Sequence, residues 1–298
     1  MTLQEAYENF ILSRRLADLS PKSVKDYQDF VSPFLAFAGA SRDFSTVSQG
    51  DVNGYLASVL ERPLSRSSRA TYIRHFKIFL KWCEGEYGAS YVSRKIKVPR
   101  SPKKEVRIYT DSEVAMIFDA VKAEPGWLAS RNRCIIALMY DSGIRQSEVC
   151  SIRHRGLSLS DRRMVVSGKG SKERTVPIGR LAAEYMQAYL DACPFRSDFL
   201  FVTRQGKPLS SNSVKLMVSR LAATLPFDLS SHRLRHNFAT NYCIDQYETN
   251  GSIDIYRLMY LMGHEDVETT RRYLHFAYEI LASRGCISHL DMLHYGKT

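Results

Sequence analysis

Apolar positions recur at three- and four-residue steps through most of this chain, the mark of helices that bury one side. Val24, Tyr27, Val31, Leu35 and Ala38 keep that step behind Ser20-Pro21, where serine supplies an N-cap and proline a pre-set first turn. Pro33 lies inside this pattern, so a kink is expected there. A stronger stripe of Tyr72, Ile73, Phe76, Phe79, Leu80 and Cys83 predicts a helix over about 67–83. Its other face carries Arg69, Arg74, Lys77 and Lys81. Thr110-x-x-Glu113 reads as a capping box opening a helix with Val114, Ile117, Phe118 and Val121 on one side. Residues 131–140 (RNRCIIALMY) predict a buried helix leading to a turn at Ser142-Gly143. Residues 164–167 and 175–178 read as two strands around the tip at 168–172. Helices are predicted again at about 181–192, 211–223, 232–245, 253–262 and 266–278. The expected fold class is mainly α with one small antiparallel β-sheet.

The pattern breaks at 94–104 (RKIKVPRSPKK), which holds six basic residues, two prolines and little apolar character. This reads as a linker, 94–105, between a helical domain at 1–93 and a second domain at 106–298. With 298 residues and 44% hydrophobic content, the chain can build two real cores and is no disordered tail. The net charge of +11 points to a polyanionic partner. Residues 1–105 contain 17 Lys and Arg against 11 acids, which favours a DNA-facing role for Arg69, Arg74, Lys77 and Lys81 over plain solvation. In the linker, Lys95, Lys97, Arg100, Lys103 and Lys104 are candidates to track a phosphate backbone. The six cysteines form no C-x-x-C pair and read as reduced thiols of a cytosol-like compartment. The start of the chain lacks a signal-peptide pattern, and no apolar run approaches the length of a membrane span.

The chemistry is concentrated between His232 and His275, where HRLRHNFAT is followed by LMGHEDVETTRRYLH. This window holds His232, Arg235, His264 and Tyr273, with Tyr273 nine residues after His264. DSGIRQSEVCSIR adds Arg145 and Glu148, and MVVSGKGSKERTVPIG adds Lys169. A phenol can attack phosphorus and hold it covalently, a guanidinium can neutralise non-bridging oxygens, and an imidazole can move protons near pH 7. Such a set suits phosphodiester transfer without metal. The two histidines of HRLRH have helical i, i+4 spacing, but a zinc signature needs Glu after the first His, and Arg233 stands there. No metal or other cofactor is expected. GKGSK lacks the Walker pattern, so it is not read as a nucleotide loop.

In this order and context, these residues resemble the tyrosine recombinases of the phage-integrase and Xer type. The resemblance is close over 108–280 and looser over the first hundred residues. It implies a SAM-like helical core-binding domain followed by the catalytic domain of DNA breaking–rejoining enzymes, the two closing on DNA as a clamp. It makes Tyr273 the nucleophile, ahead of Tyr278 and Tyr295, with Arg271 and Arg272 adjacent to attract phosphate. Arg145 and Arg235 would clamp the scissile phosphate, and Glu148 would orient a site residue. Lys169 would protonate the departing 5′ oxygen, with Lys172 the nearby alternative. His232 becomes a proton shuttle and His264 a hydrogen-bond donor to phosphate.

The implied reaction leaves a 3′-phosphotyrosyl link and exchanges strands through a Holliday junction, in integration, excision or resolution. The implied partner is double-stranded DNA with a specific inverted-repeat site, bound by a dimer per site and a homotetramer on two sites, with accessory proteins. A cytoplasmic, nucleoid-associated enzyme of a mobile element is the expected setting. Two other classes share features: a type IB topoisomerase, and a catalytically silent DNA-binding regulator, whose expected sign would be a missing site residue. One departure from the family is extra length around DQYETNG (245–251), expected as a lengthened surface loop. In the tail, Ile287, Leu290, Met292 and Leu293 fall on one side of a short helix, expected to dock on a neighbouring protomer or on its own domain.

Overall fold

Hydroxyl caps mark out the N-terminal helices. Thr2 and Glu5 form a capping box before α1 (Leu3–Leu16), and Ser20 caps α2 (Pro21–Ala38), which runs on through Pro33. Ser48 and Asp51 form a second box before α3 (Gln49–Glu61), and Ser65 caps α4 (Arg66–Tyr87). In this computed structural model, residues 1–89, 93–100, 107–122, 126–168, 172–284 and 293 are described. The chain divides into two compact units, Met1–Lys104 and Glu105–Thr298. The first unit is built on an aromatic core in which Phe76 meets Phe34 at 4.6 Å and Tyr55 at 4.7 Å, with Phe10 and Phe79 beside them. Rings tilted or edge-on at these spacings add packing energy beyond the area they bury.

The second unit opens with the Thr110–Glu113 capping box before α5 (Asp111–Lys122). The next helix, α6 (Trp127–Asp141), runs through the core, with Cys134, Ile135, Ile136, Leu138 and Met139 fully buried. Short α7 (Gln146–Ser151) leads into an antiparallel sheet of β1 (Leu157–Ser158), β2 (Arg163–Ser167) and β3 (Glu173–Pro177), ordered β1-β2-β3 with Val165 opposite Thr175. Met164, Val166 and Val176 turn inward, and so does Arg174. The strand β1 is too short for alternation to reveal it. There follow α8 (Arg180–Ala192), α9 (Ser211–Ala222), α10 (Ser231–Asn250), α11 (Ile255–Met262) and α12 (Val267–Arg284). Helix α6 packs on α5, α8 and α10, and α10 packs on α12.

The expected surface loop at 245–251 is corrected by the structure: residues 245–250 continue α10, which ends at the left-handed Gly251. The final turns are held from outside. Tyr247 packs edge-on against Tyr278 at 5.7 Å, and Glu248 pairs with Arg284 at 3.1 Å, both partners lying on α12. Among the described residues no helix is long and apolar enough to cross a membrane. The helix expected in the tail lies outside the described residues, as do Lys169, Lys103 and Lys104.

Candidate active site

Two left-handed glycines build the floor of the site. Gly143, at φ 60°, turns the chain between α6 and α7, and a Cβ there would lie 2.2 Å from the Phe238 ring. Gly263, at φ 59°, ends α11, and a Cβ there would lie 2.7 Å from Nη1 of Arg174. The carbonyls these turns present hold the candidate arginines. Gly143 O accepts from Arg235 Nη1 at 2.6 Å, and Gly263 O accepts from Arg145 Nη2 at 2.8 Å.

Glu148 is the hub of these cations. Its Oε1 accepts from Arg145 Nη1 at 2.9 Å, and its two oxygens accept from Arg174 at 2.8 and 2.9 Å. Oε2 also accepts the backbone N–H of Arg145 and lies 4.0 Å from Arg235. Burial pushes this carboxyl up, but the arginine and backbone bonds outweigh it and hold the group below its ordinary value. One carboxylate among three guanidiniums leaves the site positive, ready for an anion.

Helix α10 has little amphipathic pattern, yet its first half is buried, because its polar side chains are satisfied one by one. Asn237 Oδ1 accepts from the backbone of Tyr109 at 2.7 Å, and its amide donates to Arg233 O. Arg235 reaches the backbone carbonyls of Gly143 and Met262. Burial, and then Arg145, lower Arg235 to about 10, so it remains charged at neutral pH.

Arg145, Gln146, Ser231, His232, Arg235, His264, Arg272 and Tyr273 line one cleft of about 380 Å³. Tyr273 is 1% exposed. Its ring is parallel to His264 at 6.2 Å, tilted against His236 at 5.1 Å, and has the Arg272 guanidinium 5.3 Å from its centre. Burial raises the phenol above its ordinary value, while Arg272, Arg235 and Arg145 pull it down by less. The His264 ring is lowered to about 4, first by burial and then by Arg235 and Arg145. A guanidinium has no acceptor, so His264 Nε2, 3.1 Å from Arg235 Nη2, must accept. Its proton then sits on Nδ1 and is donated to Thr270 Oγ1 at 2.9 Å. Donation from His264 to a phosphate would need the Nδ1–H bond to Thr270 to open, because Nε2 carries no proton in this arrangement.

The structure thus brings Arg145, Glu148, His232, Arg235, His264 and Tyr273 together. The sequence reading passed over Arg174 and Thr270, and weighed His236 only as half of a zinc pair that it set aside. Arg174 had a signal, since it stands two residues before the inward Val176 and so shares its face of β3. Lys172 pairs with Glu265 at 3.2 Å on the surface. Of the basic candidates on α4, Arg74 and Lys81 are exposed, whereas Arg69 donates to Arg62 O and Lys77 to Ile96 O, at 2.9 and 2.8 Å. Lys95, Lys97 and Arg100 lie in the first unit beyond α4 and are exposed, on a segment anchored to the apolar core by Ile96 and Val98. No cluster of metal-binding side chains is found among the described residues.

A tyrosine boxed by histidines beside a cluster of arginines, on a helical fold with a three-stranded sheet, is an arrangement suited to phosphoryl transfer. Residues 107–279 match the phage integrase family, and residues 7–89 match the phage integrase N-terminal SAM-like domain. The chain belongs to the phage integrase family and is a DNA recombinase of the tyrosine type. It is similar to the tyrosine recombinase XerC of Pediococcus pentosaceus, with 27% identity over 295 residues covering 94% of this chain and 95% of that one. The Tn1549 transposon integrase, solved in complex with transposon right end DNA, shares the fold at a TM-score of 0.73 and 17% identity, covering 95% of this chain and 99% of that one. So does a lambda integrase dimer bound to a COC′ core site, at a TM-score of 0.71 and 17% identity, covering 92% and 95%.

Proposed function

We propose that this recombinase cleaves and rejoins duplex DNA at a specific inverted-repeat site through a 3′-phosphotyrosyl bond to Tyr273. The observation that carries this reading is the shared cleft of Arg145, Arg235, His232, His264 and Tyr273. A scissile phosphate seated there meets two guanidinium forks whose positive charge grows in value as the pentacoordinate state gains negative charge. Glu148 holds Arg145 from behind. Attack by the Tyr273 oxygen on phosphorus, with the phenol proton lost to solvent as the bond forms, expels the 5′ oxygen, which takes a proton from Lys169, a residue of the sequence between β2 and β3. The phosphodiester energy stays in the tyrosyl bond, so a 5′ hydroxyl from a partner strand reverses the step without nucleotide or metal. Two protomers would hold one site and four would pair two sites, exchanging strands by way of a Holliday junction. The DNA complexes of the Tn1549 and lambda integrases support a DNA partner. A DNA substrate supports a cytoplasmic location at the nucleoid.

Tyr273 is buried and its phenol is held above the ordinary value. DNA binding must therefore open the cleft before attack, and the entering phosphate must draw the cations toward the reacting oxygen. Covalent capture tests the reading. The protein is mixed with a library of nicked duplexes, denatured, and the DNA-linked tryptic peptide 273–284 is sequenced by mass spectrometry. A nucleotide on Tyr273, from a recurring sequence, and its loss in Tyr273→Phe, is the expected result. A nucleotide on Tyr278 would move the nucleophile. Relaxation of plasmids regardless of sequence would make the enzyme a topoisomerase.

A further inference from the structure

His236 follows His232 by one turn of α10 and has no step assigned to it in the reaction above. It is only 5% exposed. Its ring lies against His232, with centroids 4.3 Å apart at 83°, and against Tyr273 at 5.1 Å. The Nε2 atoms of the two histidines are 2.8 Å apart. At that distance one proton must lie between them, since two bare nitrogens or two N–H groups would repel. Both rings are held below the ordinary imidazole value, by burial first, with Arg272 and Arg235 adding to it. Each is therefore neutral and carries one proton.

The other nitrogen of His236 decides which ring gives the shared proton. Nδ1 of His236 is buried and has no hydrogen-bond partner among the described residues. A buried N–H without an acceptor is a costlier orphan than a bare lone pair. Nδ1 is therefore the bare nitrogen, and the proton of His236 is on Nε2.

We propose that His236 is a positioning residue that donates its Nε2–H to Nε2 of His232, fixing the tautomer in which His232 meets a phosphate as a donor through Nδ1. Free histidine prefers the opposite tautomer, with its proton on Nε2, so the contact works against the intrinsic preference. The same His236 ring packs on Tyr273, so one side chain sets both the polarity of the imidazole and the seat of the phenol. The groups facing the pair are Arg235 on α10 and Arg272 and Tyr273 on α12. The inference rests on the reading of the cleft as a phosphotransfer site, but its primary test needs no DNA.

That test is long-range ¹H–¹⁵N correlation on the full chain labelled at histidine, at neutral pH, with signals assigned by single substitutions. The wild type should show His232 protonated on Nδ1 and His236 on Nε2. In His236→Phe, which keeps a ring against Tyr273 but has no donor, His232 should revert to the Nε2-protonated form. His236→Gln, with an amide N–H at similar reach, should restore the Nδ1 form. In covalent capture, His236→Phe should react roughly ten- to a hundredfold more slowly at unchanged DNA affinity, by analogy with the partners that orient metal-bound imidazoles. His236→Gln should recover part of that rate. An Nε2-protonated His232 in the wild type, or an unchanged His232 tautomer in His236→Phe, overturns the proposal. Should His236→Phe fail to fold, the wild-type tautomers and His236→Gln decide alone. Absence of any covalent adduct with the wild type would sink the phosphotransfer reading while leaving the tautomer result standing.

Discussion

Glu148 and Arg174 meet through paired hydrogen bonds of 2.8 and 2.9 Å, with the carboxylate 1% and the arginine 8% exposed. Arg174 also donates its Nε–H to Leu261 O at 2.9 Å, in the last turn of α11 before Gly263 and His264. One side chain from the sheet therefore ties the helix that carries Arg145 to the turn that carries His264.

Arg174→Met should destabilise the protein by about 3–5 kcal/mol, because it leaves Glu148 buried with part of its charge uncompensated. Arg174→Lys should recover only a fraction, since an ammonium cannot span both carboxylate oxygens in the plane. Urea unfolding midpoints at constant m-value measure both. A loss below about 1 kcal/mol, the range of exposed pairs, would mean that this ion pair carries little weight.

The two α10–α12 region glycines give a matched comparison. Gly263→Ala should cost about 1–3 kcal/mol, the scale of a strained left-handed residue, with the added Cβ driven against Arg174 at 2.7 Å. It should also slow covalent capture, because the same turn supplies the carbonyl that holds Arg145. Gly251→Ala has the same backbone strain at φ 69° but meets open space, so it should cost less and leave capture unchanged. Equal losses in the two variants would show that the Arg174 contact relaxes freely.

Helix positions and the residues that gather in the candidate site were legible in the chain because each announces itself locally, by capping residues, by apolar spacing or by a short motif. Arg174 and Thr270 were harder to read because their importance comes from partners far along the chain, Glu148 for one and His264 for the other. His236 stood in plain view beside Arg235, but only the geometry of α10 turns it toward both His232 and Tyr273. The length of α10 was misjudged because Asp245–Asn250 is polar, a composition that suits a loop when seen alone. In the fold the stretch continues the helix and touches Tyr278 and Arg284 on α12.

The pH dependence has a defined sign. His264 ionises at about 4 in the fold and near 6.5 in an unfolded chain, so the unfolded state takes up the proton first as pH falls. The stability owed to the neutral ring is complete above about pH 6.5 and is lost as pH falls from there toward about 4. The melting temperature should thus drop across this window, and drop less steeply in His264→Asn, which accepts from Arg235 but does not titrate. His236 and Glu148 act in the same direction, so the difference between the two slopes is the readout. Parallel slopes would mean that His264 titrates alike in both states.

For Lys169, replacement by alanine should slow cleavage ~10²–10⁴-fold, the usual worth of a general acid. Substrate with sulfur in place of the 5′ bridging oxygen should largely restore the rate, because a thiolate leaves without a proton. Rescue of Lys172→Ala in its place would shift the acid by three positions along the hairpin.

The continuation of α10 to Asn250 has a geometric consequence. Inserted residues in a loop add slack, whereas inserted residues in a helix add phase: about 100° of rotation and 1.5 Å of rise apiece. Were the added length placed upstream of His232, it would swing every reacting side chain out of register. Placed after Ile244, beyond the last buried residue of the helix, it turns only the exit direction of the chain toward α11. Added turns there leave the buried stretch from Leu234 to Ile244 in register, so Arg235 keeps its place against the Gly143 carbonyl.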